Sequence, residues 1–196
     1  MLSVSGPWRV GPSVAYSARM EGGGTRGVVL LLAFACAWIG ASSPAAARER
    51  SGQTTFRFPH QHAEASDVAV EAGRVIVVGG IAYTKRNIRF ALVRVLPNGD
   101  LDPGFGDHGR VMTDFGEISV LVAIAIQPDG KIVAAGYGGG ATLSSPHDFL
   151  VARYLPDGSL DPTFGSEGGV RVDFGGNDLG TSLDIENDGS IVVAGG

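Results

Sequence analysis

The chain has 196 residues, a formal net charge of −5 and a single cysteine, Cys36. The first 47 residues carry three arginines against one glutamate, so the rest of the chain stands at −7, a balance that argues against nucleic acid as a partner because phosphate binding needs a basic surface. One thiol allows no disulfide framework and no cysteine-based metal site.

The chain opens as a targeting segment. Arg9, Arg19 and Arg26 precede an apolar run of 14 residues, Val28 to Ala41, and small residues follow up to Ala45, Ala46 and Ala47. This is the layout of a signal peptide over residues 1–47, with cleavage before Arg48. The run falls short of the about 20 residues a membrane span needs, although an uncleaved anchor is the other reading. Met20 opens a more usual leader, which makes residues 1–19 an overcalled start. Cleavage would remove Cys36 and both tryptophans, Trp8 and Trp38, and place the mature chain in the periplasm, at the cell surface or outside the cell. Residues 48–57 then read as a linker.

From there the sequence repeats. RVLPNGDLDPGFGDHGRVMTDFG (Arg94–Gly116) and RYLPDGSLDPTFGSEGGVRVDFG (Arg153–Gly175) are identical at 14 of 23 positions, 59 residues apart. GRVIVVGG, GKIVAAGY and GSIVVAGG recur at Gly73, Gly130 and Gly189, spaced by 57 and 59. These landmarks define repeat 1 (58–116), repeat 2 (117–175) and a partial repeat 3 (176–196).

Each unit divides into four short apolar runs. In repeat 2 these are Ser119–Gln127, Lys131–Tyr137, Asp148–Leu155 and Gly168–Phe174, of strand length and rich in β-branched and aromatic residues. Asx-Gly turns join them, with Gly99, Gly130, Gly158 and Gly189 at the positions that take positive φ. The third run alternates: Phe90, Leu92, Arg94 and Leu96 share a face, as do Phe149, Val151, Arg153 and Leu155. An arginine on an apolar face needs a partner, and Asp102 and Asp161, eight residues on, are the candidates. Phe105, Phe115, Phe164 and Phe174 are assigned to packing within or between units.

Four strands in about 58 residues fit one propeller blade, so the fold class is all-β, with four-stranded antiparallel blades in an incomplete β-propeller-type array. LPDGSLDPTFG, GGVRVDFG and AIQPDGKIVAAG together resemble the delta-60 repeat, found in tandem in exported bacterial proteins. The resemblance covers nearly all of residues 56–196, and it implies a propeller-like fold and an exported location with no reaction attached. Repeat 1 departs from it at FPHQHAEASDVAVEAG, which implies an irregular or capping first strand. Two units and a half fall short of the about four to eight blades that close a propeller, so a fragment of a longer array, or self-association through open sheet edges, is expected.

No motif in the chain carries convincing chemistry. The triplet DFG at Asp114 and Asp173 resembles the magnesium-binding element of kinases, but it recurs with the structural period and the other kinase motifs are missing. Asn98, Asp100 and Asp102 have the spacing that opens a calcium loop, yet Pro103 replaces its glycine and no glutamate closes it; Asp157, Ser159 and Asp161 are the weaker second set. His60 and His62 could offer two zinc ligands, with His108 and His147 in other loops and no third ligand at a defined spacing. The glycine-rich stretch Tyr137–Thr142 leads into a loop and opens no helix that could bind phosphate.

Catalytic, cofactor and metal residues are therefore assigned to none. Between the second and third strands the connection changes from Ala82–Asn87 to the longer Gly138–His147, and such surface loops are where a protein or glycan ligand would be read. The resulting expectation is an exported, non-catalytic binding or structural module. The rival is a portion of a propeller enzyme, hydrolase or lyase, whose site would draw on further blades.

Overall fold

The computed structural model describes residues 30–32, 52–54, 56–58, 61–71, 73, 75–83, 87–116, 118–140, 142 and 144–196. The leader assigned to residues 1–47 lies outside these, apart from β1 (Leu30–Leu32), which pairs antiparallel with β2 (Gly52–Thr54). No helix among the described residues is long and apolar enough to cross a membrane.

Two four-stranded antiparallel meanders follow. Blade 1 is β3 (His62–Val70), β4 (Ile76–Tyr83), β5 (Ile88–Val95) and β6 (Arg110–Thr113), hydrogen-bonded in that order. Blade 2 repeats it with β7 (Ser119–Ile126), β8 (Ile132–Gly138), β9 (Asp148–Tyr154) and β10 (Gly169–Val172). A hairpin, β11 (Gly180–Ile185) and β12 (Ile191–Gly195), supplies two strands of a third sheet. The first strands stack against the preceding sheet, β7 on blade 1 and β11 on blade 2. The architecture is all-β, built of propeller-like antiparallel blades with no closed barrel.

Period-two alternation sends each strand's side chains into two layers. From β5, Ile88, Phe90 and Leu92 enter the layer between blades 1 and 2, meeting Ile132 and Ala134 of β8 and Leu150, Ala152 and Tyr154 of β9. The alternate residues Ala91, Val93 and Val95 face the other side of blade 1, where Phe56 and Phe58 close over them. Val133, Ala135 and Val151 of blade 2 face the hairpin residues Leu183, Ile185, Ile191 and Val193. Phe90, Leu92, Phe105 and Tyr154 are all fully buried in the layer between the blades, each large side chain contributing about 1.5–3 kcal/mol by removal from water.

Repeat 1 departs in sequence from repeat 2 at its start without losing its first strand. His62–Val70 pairs with β4 over nearly its whole length, and the capping role falls to Phe56 and Phe58 just before it. All three first strands carry a bulge at the same place, between Ala65 and Asp67, Leu121 and Ala123, and Gly180 and Ser182. Opposite each stands a glycine: Gly80, Gly136 and Gly195. A Cβ at Gly136 would sit 1.9 Å from the Val120 carbonyl oxygen, and at Gly195 1.9 Å from that of Leu179, so the bulged strand presses where no side chain fits. Asp67 ties two of these bulges together, accepting the Val68 N–H on Oδ1 and the Ile124 N–H of blade 2 on Oδ2, both at 2.8 Å.

This register corrects the landmark spacing. Ile76 and Ile132 both follow the turn directly, Gly80 matches Gly136, and the true offset is 56 rather than 57. The glycines at 73 and 130 are therefore not equivalent, because the first turn places its positive-φ residue one position earlier.

Candidate functional site

The corner after the third strand is built on the same arginine–aspartate pair in both blades. In blade 1, Arg94 Nε donates to Asp102 Oδ2 at 2.8 Å while Asp102 Oδ1 accepts the Gly104 N–H at 2.8 Å. In blade 2, Arg153 Nε donates to Asp161 Oδ2 at 2.8 Å, and Asp161 Oδ1 accepts from both the Thr163 N–H and its hydroxyl. The guanidinium carbons lie 5.2 Å from the centre of the Phe105 ring and 4.6 Å from that of Phe164, within cation–π range. The arginine partners expected from the eight-residue spacing are thus the ones observed. The Gly104 N–H, then Arg94, holds Asp102 below its ordinary value against the opposing effect of burial. Thr163 first, with Arg153 behind it, lowers Asp161.

The blade 1 corner also grips the next blade. Arg94 Nη1 donates to the Pro156 carbonyl, and the Gly106 N–H donates to the Asp157 carbonyl at 2.7 Å. A Cβ on Gly158 would lie 2.7 Å from Val111 and 3.0 Å from Phe105, so the Pro-Asp-Gly turn of blade 2 sits directly on that corner. Alongside, the Tyr154 hydroxyl and Thr113 Oγ1 are 2.8 Å apart across the blade junction, and burial pushes the Tyr154 phenol up.

At the opposite end of the blades, where β4 leads to β5 and β8 to β9, polar and aromatic side chains gather. The His62 and Tyr83 rings stack edge-on at 5.4 Å, and the Tyr83 hydroxyl reaches Glu64 at 3.5 Å. Burial raises the Tyr83 phenol, and the Glu64 charge and Tyr137 of the neighbouring blade add to the rise. Tyr137 lies 5.4 Å from His147, which is buried, has Nδ1 2.5 Å from the Gly139 carbonyl, and leaves Nε2 without a hydrogen-bond partner.

The two blades differ most at this end. Blade 1 pairs Arg89 with Asp114, which Asn87 also approaches at 3.4 Å. At the equivalent positions blade 2 has Asp148 and Asp173, and with Asp178 they bring three carboxylates within 4.8 Å of one another. That is an oxygen-rich set of the kind a hard cation takes. All three carboxylates already have protein partners: the Phe174 N–H on Asp178, the Gly175 N–H on Asp173, and Arg171 3.6 Å from Asp148. Sequence reading missed this group, although the exchange of Arg89 for Asp148 between aligned repeats was its visible signal.

The residues weighed for metals are not brought together. His60 lies outside the described residues; His62 is 3.9 Å from Glu64, and His108 sits at the other end of the blade beside Asp107 at 2.6 Å. Asn98 and Asp100 bond to each other at 2.7 Å while Asp102 turns to Arg94, the division of labour of a capped turn. Of the two variable loops, residues 84–86, 141 and 143 lie outside the described residues.

Blades of this construction define a β-propeller-like protein. Residues 73–105 and 127–164 match the family described as a domain of unknown function (DUF5122) beta-propeller. Each matched stretch includes the second and third strands of a blade and much of the following corner. No curated protein matches the chain.

Proposed function

We propose that the chain is an exported, non-catalytic binding module of delta-60-type repeats, released near Ala47 into the periplasm, to the cell surface or into the medium. Its ligand is a protein or a glycan, held at the loop end of the blades. The observation that carries this reading is the placement at one end of the blades of Tyr83 beside Glu64 in blade 1 and of Tyr137 beside His147 in blade 2. Tyrosine faces beside carboxylates supply the apolar contact and the directional hydrogen bonds by which surface ligands are oriented. The repeated corner lies at the other end, where that of blade 1 holds blade 2, and the loops at the loop end differ between the blades.

Expressing the whole chain in a secreting bacterial host tests both halves. The exported product should begin at Arg48 and emit as tyrosine only, because Trp8 and Trp38 leave with the leader. It should then bind to an array of cell-envelope glycans and envelope proteins, and the double variant Tyr83→Ala/Tyr137→Ala should lose that binding while keeping its far-UV spectrum. A product retained unprocessed, or binding indifferent to both tyrosines, would overturn the reading.

A further inference from the structure

The Asx-Gly turns share one plan, and one of them inverts it. Asp129, Asp157 and Asp188 each precede a glycine, and each carboxylate accepts the N–H of the residue two positions on, at 3.2, 2.9 and 2.9 Å. Each also accepts from that residue's side chain: Lys131 Nζ at 2.6 Å, the Ser159 hydroxyl at 2.6 Å and the Ser190 hydroxyl. In the turn after β5, Asn98 Oδ1 likewise accepts the Asp100 N–H, at 3.0 Å. Here, however, the Asx side chain is the donor, with Asn98 Nδ2 on Asp100 Oδ2 at 2.7 Å. An amide thus stands where the other three turns have a carboxylate, and its partner is a carboxylate where they have a donor.

We infer that Asn98 is a site of spontaneous deamidation, and that the change is a one-way loosening of the blade 1 corner. The Gly99 nitrogen attacks the Asn98 side-chain carbonyl carbon; the new C–N bond closes a succinimide, the Cγ–Nδ2 bond breaks, and Nδ2 leaves as ammonia with the Gly99 proton. Water then opens the ring at either carbonyl, giving aspartate or isoaspartate. Gly99, at φ +92°, puts no side chain in the path of attack, and the space where a Cβ would lie is open. The other asparagines, Asn87, Asn177 and Asn187, are followed by Ile88, Asp178 and Asp188, whose side chains crowd it. Asn98 is exposed, and so is Asp157 although its own turn is docked on blade 1, so solvent access at this position belongs to the turn itself. The closed turn holds the Gly99 N–H on the Leu96 carbonyl at 2.9 Å, so the reaction proceeds from local openings of the hairpin tip. Its product cannot close as before. An aspartate keeps the acceptor for the Asp100 N–H but sets a carboxylate against Asp100 Oδ2, replacing a donated bond by like charges; isoaspartate also lengthens the backbone inside the turn. The Leu96 N–H on the Asp100 carbonyl and the Asp102 N–H on the Arg94 carbonyl connect this turn to the arginine that grips blade 2.

Incubating the full chain at mildly alkaline pH and mapping its peptides by mass tests the site. Asn98 should deamidate ahead of Asn87, Asn177 and Asn187, and yield both aspartate and isoaspartate. Asn98→Asp supplies one product directly. Its Gly99 and Asp100 amides, corrected for intrinsic rates, should exchange about threefold faster or more than those of the parent, and the gap should narrow in high salt, which screens the two carboxylates. Asn98→Asp/Asp100→Ser rebuilds the donor pattern of the Asp157 turn and should exchange as slowly as the parent, a rescue that general damage to the fold would not allow. Deamidation that starts at another asparagine, Asn98→Asp amides as well protected as the parent's, or a double variant no better protected than Asn98→Asp would overturn the inference.

Discussion

The corners of blades 1 and 2 share their Arg, Asp and Phe and differ in what lies over them. Arg94, Asp102 and Phe105 are covered by the turn of the following blade, and Phe105 is fully buried. Arg153, Asp161 and Phe164 make the same internal contacts at nearly the same distances, yet Phe164 is only partly buried and Phe174 is largely exposed. The motif therefore folds on its own local bonds, and the neighbouring blade adds burial. This places the internal geometry of the corner in the sequence of one repeat and most of its stability in the contact between two.

Gly136→Val should unfold or severely destabilise the chain, by more than about 4 kcal/mol, because its Cβ would enter the Val120 carbonyl. The same change at Gly195, in the open hairpin, should unfold only that hairpin, with the loss of β11 and β12 amide protection as the readout. Phe105→Ala should cost about 3–5 kcal/mol in urea unfolding, whereas Phe164→Ala should cost less than about half as much. Equal costs would mean that the neighbouring blade adds nothing. Arg94→Ala should lower stability by about 1–3 kcal/mol, since it strips a charged bond from Asp102 and breaks the link to the Pro156 carbonyl of the next blade; Arg153, whose bonds to Asp161 and Thr163 lie within blade 2, should cost less when replaced by Ala.

The smallest effect is a pH dependence. Asp102 is held below its ordinary value of 3.8, so the stability it contributes is present above that value and lost as pH falls through the lower, folded value. Asp102→Asn should therefore be less stable than the parent at neutral pH and approach it in acid. A gap in unfolding midpoint that stays constant from neutral to about pH 2 would contradict the assignment.

Much of this was legible because it is local. The Asx-Gly turns, the four strands of repeat 2 and the pairing of Arg94 with Asp102 all follow from spacings of a few residues, and a residue period of two leaves little freedom about which side chains share a face. What was hidden depends on non-local geometry. Gly80, Gly136 and Gly195 look like strand-end glycines, and only the bulge in the opposite strand explains why no side chain is tolerated there. Phe174 reads as a packing residue by analogy with Phe115, but burial is a property of the neighbour that covers it. The carboxylates of Asp148, Asp173 and Asp178 converge only after two loops and a strand are placed.

Amide exchange at two equivalent glycines tests the central claim most directly. The Gly106 N–H is bonded to the Asp157 carbonyl of the next blade at 2.7 Å, while Gly165 is exposed, with no such bond to its N–H among the described residues. In the full chain at neutral pH, Gly106 should exchange at least about a hundredfold more slowly than Gly165 once intrinsic rates are divided out. Equal protection at the two positions would contradict the account, because the blade corner would then owe nothing to the blade it holds.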